Sequence, residues 1–309
     1  MSDSFPPAAT SGSPPAAADI LGIDGHAHVF TRDLPLTAER RYAPSYDATP
    51  YDYLAMLDGA GLSHGVLVQP SFLGTDNRYL LDSLAVAPQR LRGIVQADPV
   101  ADLAALPGWH AAGIVGVRAN LIGKATPAFD SPHWRAFLDA MAERDWHLEV
   151  QVEAERLASV GPLVLARGVR LVVDHFGRFD PLRGTSDPGF AALLAAARAQ
   201  FNRENRIWVK ISAAYRVVPV GTPAEAMVNV ARTAYRALLQ AFGPERLLWG
   251  SDWPHTQFES TENPRTVVAL RDAIVDDAAL RRALLIDTPT ELFGFDRQPA
   301  GTSGADLLN

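Results

Sequence analysis

Cysteine is absent from all 309 residues. That excludes disulfides, thiolate metal sites and a cysteine nucleophile, and it suits a reducing, cytoplasmic setting. A surplus of positive charge is also missing: 28 Lys and Arg stand against 35 Asp and Glu, a net charge of −7. A general nucleic-acid partner is therefore not expected. An anionic small substrate stays open, because a few arginines in one pocket outweigh the global sign locally. No apolar run approaches the roughly 18–20 residues needed to cross a bilayer, so no membrane partner is expected. The chain does not open with a basic stretch followed by an apolar one, as a secretory leader would. No G-x-G-x-x-G follows the first apolar run, which argues against a dinucleotide site there.

What is present points to a large folded body. Hydrophobic residues make up 48% and charged residues 20%, enough for a sizeable core and too few charges for a disordered chain. Residues 1–19 are rich in Pro, Ala and Ser and read as a disordered tail, and 296–309 read as a second one, leaving a single domain over 20–295. Within it, β-branched and aliphatic runs recur at 20–28, 65–70, 91–97, 113–119, 146–152, 169–175, 206–212 and 246–252. Each is followed by a segment with helical spacing. Eight such units in about 275 residues predict a (β/α)8 TIM barrel, with an open doubly wound sheet as the alternative.

Barrel active sites lie at the C-terminal strand ends, and polar residues gather there. His26 and His28 close the first run, Ser71 follows the second and Arg118 is on the fourth. Gln151 ends the fifth, His175 the sixth, Arg216 follows the seventh and Asp252 closes the eighth. His26 and His28, two apart in a strand, would share one face and point at the same metal, carbonyl or water. Three of only eight histidines falling at strand ends favours a functional reading over a structural one. His64, His110, His133 and His147 read as structural or exposed, and His255 as support for Asp252.

The segments DGHAHVF (24–30), VVDHFGR (172–178) and LLWGSDWPH (247–255) occur in that order and resemble the amidohydrolase superfamily. More narrowly, they resemble its branch of 2-pyrone-4,6-dicarboxylate lactonase and related sugar and sulfomuconolactone lactonases. ERRYAP (39–44), LVQPSFLGTDNR (67–78), GVRANLIGK (116–124) and WVKIS (208–212) extend the likeness. The resemblance implies that Asp252 activates water while His26, His28 and His175 polarise a lactone carbonyl. It also implies that similar residues in other members hold a divalent ion. As general chemistry, a carboxylate beside imidazoles can take a proton from attacking water. Imidazoles can donate to a developing oxyanion or ligate a cation.

Arginine forks suit carboxylates, so Arg118, Arg178 and Arg216, with Lys124 beyond Arg118, predict an anionic substrate. Ser71 and Tyr42 would add hydroxyl contacts and Gln151 a further one. Members with two metals carry a lysine or glutamate on the fourth strand and a histidine on the fifth. Arg118 and Gln151 stand there instead, and a guanidinium cannot ligate a metal, so a two-metal centre does not fit. The expected cofactor is none, or one divalent cation on His26, His28, His175 and Asp252, zinc being best suited to such N/O ligands. Gln151, Leu73 and Lys124 differ from the branch's pattern and leave the exact lactone open. The expectation is a hydrolase of a small carboxylated lactone in aromatic-compound breakdown. The rivals are a metal-dependent decarboxylase on the same barrel and a non-catalytic dicarboxylate-binding barrel. Oligomeric state is open.

Overall fold

The computed structural model describes residues 20–38, 40–199 and 202–295, so both predicted tails lie outside the described residues. Eight parallel strands follow one another around the sheet in chain order. They are β1 (Ile23–Ala27), β2 (His64–Val68), β3 (Leu91–Val95), β4 (Ile114–Asn120), β5 (His147–Gln151), β6 (Arg170–Val173), β7 (Ile207–Ser212) and β8 (Leu247–Gly250). The ring is joined at the last seam by Asp252 N–H donating to the His26 carbonyl at 2.8 Å and His28 N–H to the Trp253 carbonyl at 2.7 Å. The predicted (β/α)8 barrel is the fold.

Helices form the outer layer: α1 (Pro50–Gly59), α2 (Arg78–Val86), α3 (Leu106–Ala111), α4 (Pro132–Ala142), α5 (Leu157–Leu165), α6 (Pro188–Ala196), α7 (Ala224–Phe242), α8 (Pro264–Ile274), α9 (Ala278–Arg282) and α10 (Thr288–Phe293). Their starts are chemically marked. Thr49, Ser131, Asp187 and Asn263 each accept a backbone N–H at the N-cap, and a proline follows at the first turn. Most strands are shorter than predicted by one or two residues at an end, since polar residues at the C-terminal tips leave the ladder to line the mouth. His28 is accordingly past the end of β1.

Alternation sorts the strand residues. Outward residues such as Leu67, Val95, Leu148, Leu171 and Val209 pack under the helices. Inward residues Ile23, Val66, Val172, Trp208 and Leu248 form an apolar floor sealed by Leu292 and Phe293 of α10. β1 breaks the alternation. Its pairing with β2 shifts between Asp24 and Ala27, so one extra residue is absorbed. Ile23 at the floor and His26 above it thereby share the interior, and Asp24 turns outward to the Tyr53 hydroxyl of α1.

Candidate active site

Above the floor the interior becomes charged, and above that it opens. His26 of β1, Arg118 of β4, Glu149 of β5, Asp174 just past β6 and Lys210 of β7 fill the middle level, all buried. His28, Asn120, Gln151, His175, Ser212 and Asp252 form the upper level. His175 and Asp252 follow their strands in left-handed backbone, with φ of 49° and 58°. For residues other than glycine this costs on the order of 1–3 kcal/mol each. It is retained where the turn aims a side chain back across the barrel mouth.

Four atoms converge there. The Nε2 atoms of His26, His28 and His175 lie 3.7, 3.8 and 3.9 Å from Asp252 Oδ1, and the first two are 3.3 Å from each other. Asp252 presents its two oxygens differently. Oδ2 accepts from the Tyr215 hydroxyl at 2.7 Å and from Arg216 Nε at 2.8 Å, and Arg216 NH2 forms an ion pair with it at 2.7 Å. Oδ1 faces only the imidazoles. Burial alone would raise the Asp252 pKa, but Arg216 and then the three histidines overcome it and hold the group well below the usual carboxylate range.

Hydrogen-bond partners assign the ring protons. His28 Nδ1 is 2.7 Å from the Val68 carbonyl, which only accepts, so Nδ1 carries the proton and Nε2 presents a lone pair. Burial, then His26 and Arg118, push its pKa well below the ordinary value, keeping it neutral. The expectation that His28 donates to an oxyanion is therefore corrected: it is an acceptor. At His26 the order is reversed. The Lys210 ammonium, which only donates, is 3.0 Å from Nδ1, placing the ring proton on Nε2, aimed at His28. Burial and Lys210 oppose a second proton on His26, but Asp174 and Glu149 outweigh them and its pKa is raised. In either charge state Nε2 bears hydrogen. His175 Nδ1 meets the Ser212 hydroxyl at 2.8 Å, and burial holds this ring neutral as well.

The middle level is electrically balanced. Lys210 pairs with Glu149 and lies 3.7 Å from Asp174 Oδ1. Arg118 lies 3.4 Å from Glu149 and 3.2 Å from Asp174, and it donates to Gln151 Oε1 at 2.7 Å. With Asp252 and Arg216 added, three carboxylates face three fixed cations.

A narrow, mostly polar-lined pocket opens over these groups. His28, Ser71, Tyr42, Arg118, Gln151, His175, Arg216 and Asp252 line it, as do Arg41, Asn120, Thr256 and Gln257. His26 lies just beneath. Two further predicted residues are not in the lining either. Lys124 is exposed on the β4–α4 loop, outside the lining. Arg178 is behind the wall, where NH1 donates to the Arg216 carbonyl at 3.1 Å, and burial followed by Arg216 lowers its pKa to about 10. Tyr42 lines the pocket, but its hydroxyl donates to Glu259 at 2.6 Å. His255 reaches Asp252 through Tyr215, whose hydroxyl is 3.4 Å from His255 Nδ1.

Sequence reasoning missed Lys210, Glu149, Asp174, Tyr215 and Arg41. A signal existed for the first two: a lysine in WVKIS and a glutamate in HLEVQ interrupt otherwise apolar barrel strands, whose side chains have only the interior or the helix layer to enter.

The donors also bear on a metal. Three imidazoles and a carboxylate suit one divalent cation, and the groups on His26, His175 and Asp252 lie close enough to share one. His28 already presents its lone pair. His26 would join only with its proton moved to Nδ1, where Glu149 Oε1 and Asp174 Oδ1, each at 3.4 Å and without a hydrogen bond, stand to receive it. The set fits one ion on that condition.

Comparison with known proteins identifies the family. The family model described as amidohydrolase matches residues 23–295. The chain is 30% identical over 285 residues to a 4-sulfomuconolactone hydrolase of Rhizobium radiobacter, covering 88% of this chain and 89% of that protein. It is 30% identical over 282 residues to a 2-pyrone-4,6-dicarboxylate hydrolase of Comamonas testosteroni, with the same coverages. Among solved structures, a Pseudomonas putida protein provisionally named 2-pyrone-4,6-dicarboxylic acid hydrolase superposes with a TM-score of 0.82 at 44% identity, covering 91% of this chain and all of that one.

Proposed function

The chain belongs to the amidohydrolase family along residues 23–295, and on that premise we propose that it opens a small carboxylated lactone by attack of water on the ring carbonyl. The observation that carries the reading is the convergence of Asp252 Oδ1 with three imidazole Nε2 atoms at 3.7–3.9 Å under an arginine-lined mouth. The 2-pyrone-4,6-dicarboxylate and 4-sulfomuconolactone named for its relatives are both anionic lactones and give the substrate class.

Water between Asp252 Oδ1 and the His28 lone pair donates a hydrogen to each, leaving an oxygen lone pair for the carbonyl carbon. As the C–O bond forms, one proton passes to Asp252. The oxyanion takes the N–H of His26 Nε2, with Arg118 adjacent. Collapse breaks the ring C–O bond, and the departing oxygen takes the proton from Asp252. The product acid then ionises. In the free protein Asp252 is a weak base for this task, because Arg216 and Tyr215 hold Oδ2. A substrate carboxylate that claims Arg216 draws the guanidinium off Asp252 and returns basicity to it. A divalent ion held by His26, His28, His175 and Asp252 would supply Lewis acidity to the same carbonyl; the proton that Lys210 places on His26 Nε2 favours turnover without one.

The test is proton release, followed by pH-stat, on a lactone panel that includes the two compounds named above, with and without chelator. Ring opening that survives chelation is expected. Asp252→Asn should lower kcat by about 10²–10⁴-fold with KM little changed. No turnover on any lactone, or carbon dioxide release without ring opening, overturns the reading. Loss of turnover in chelator would assign the four donors to an ion.

A further inference from the structure

We infer that Arg41, bracketed by Asn120, is the arm that binds the anionic group on the side of the substrate away from the reacting carbonyl; this rests on the lactone reading above. In the free protein the inner guanidiniums are already paired, and on binding Arg216 serves the carboxylate nearer the reacting carbonyl. Arg118 is committed to Asp174, Glu149 and Gln151, and Arg216 to Asp252 and the Thr256 carbonyl, the latter at 3.0 Å. Arg41 also lines the pocket, yet makes no ion pair among the described residues. Its NH2 donates at 3.3 Å to a neutral oxygen, Asn120 Oδ1.

The charges around Arg41, an exposed residue at the pocket rim, favour an anion beside it. Burial, then Arg118 and Arg216 across the pocket, disfavour its charge, so an anion arriving between them relieves repulsion as well as forming its own bonds. Glu153, the carboxylate that partly offsets this repulsion, is itself paired with Arg156 at 2.8 Å. Asn120 is buried at the tip of β4, and its oxygen takes both Arg41 and, at 3.4 Å, the Ile122 N–H. That leaves its amide nitrogen as a second donor beside the guanidinium.

The arm is also held in place. The neighbouring Tyr42 donates to Glu259 on the β8–α8 loop at 2.6 Å, and its ring packs edge-on against Phe72, which packs in turn on Phe30. The segment carrying Arg41 is therefore tied to two other loops before substrate arrives, and less ordering remains to oppose binding. Reaction at Asp252 below and anchoring at Arg41 on the rim place the two functions on opposite sides of one ring. This selects lactones with a carboxylate remote from the scissile bond.

The experiment compares a lactone carrying that remote carboxylate with the analogue lacking it, for the wild type, Arg41→Gln and Arg41→Lys. Arg41 is exposed, so its replacement should leave the fold intact, checked by an unchanged melting temperature. The wild type should prefer the diacid. That preference, as the ratio of kcat/KM values, should fall about tenfold or more in Arg41→Gln, chiefly through KM, and less in Arg41→Lys. An unchanged ratio, or equal loss on both substrates, overturns the assignment. Should the wild type open no lactone, the functional reading fails separately, and calorimetric binding of citrate still decides Arg41. Weaker binding by Arg41→Gln supports it and equal binding overturns it.

Discussion

Seven of the eight histidines in this chain have shifted pKa values that burial shapes, and their sum sets how the protein meets acid. His28, His147 and His175 are pushed well below the ordinary histidine value, chiefly by burial. His64 and His255 are lowered to about 4 for the same reason. The unfolded chain takes up these protons near pH 6.5, about the unperturbed value, and the folded protein does not. Their stabilising contribution is therefore complete above that pH and drains away as pH falls through it. His110 is lowered by burial as well; His26, whose pKa is raised, works the other way but is one against six. Asp174 and Asp252, both lowered, add a further loss only as pH falls below about 4. Thermal melts from pH 8 to pH 5 should show a falling Tm, steepening below about 6.5. A flat profile to pH 5 would contradict the neutral-imidazole assignment on which His28's acceptor role depends.

At the scale of elements, the seam between β1 and β8 matters most, since it joins the first histidines to Asp252. Gly25 sits where β1 absorbs its extra residue. A Cβ there would lie 2.7 Å from the Trp249 carbonyl oxygen of β8 and 2.9 Å from a Leu248 methyl. The first neighbour is backbone and cannot swing aside. Gly25→Ala should therefore part the strands, destabilising by about 1–3 kcal/mol in denaturant melts. Because His26 and Asp252 ride on the two strands, activity should fall more than the folded fraction does. Retention of full stability and turnover would mean that the seam is loose. The strands themselves were readable as eight apolar runs, and the helix starts as cap-and-proline pairs. The shift of register in β1 was not, because alternation within IDGHA gives no sign of which residue the neighbouring strand will skip.

For the whole molecule, the decisive feature is a charged storey enclosed between an apolar floor and an open mouth. Removing one partner of a buried pair leaves an uncompensated charge and typically costs about 3–5 kcal/mol, whereas removing both is far milder. Lys210→Met should accordingly destabilise strongly, and Lys210→Met combined with Glu149→Gln should recover much of the loss. A double-mutant cycle by thermal or denaturant melts measures the difference. Additive losses would show that Lys210 and Glu149 do not act as a pair. Both variants should lower turnover even where stability returns, since the proton on His26 Nε2 depends on Lys210.

The sequence by itself determined the fold class and the residues that converge. Short β-branched and aliphatic runs alternating with helical segments allow few architectures of this length, and a parallel barrel delivers every strand's C-terminal tip to one rim. His26, His28, His175 and Asp252 were bound to meet once that fold was granted. Only the tertiary structure decided what each does there. Whether an imidazole donates or accepts depends on the single group behind it, a carbonyl of β2 for His28 and an ammonium of β7 for His26. Which arginine is free depends on carboxylates arriving from other strands: they claim Arg118 and Arg216, Arg178 turns to a carbonyl, and Arg41 has no ion-pair partner among the described residues. Such partnerships are formed between residues far apart in the chain, and no local spacing encodes them.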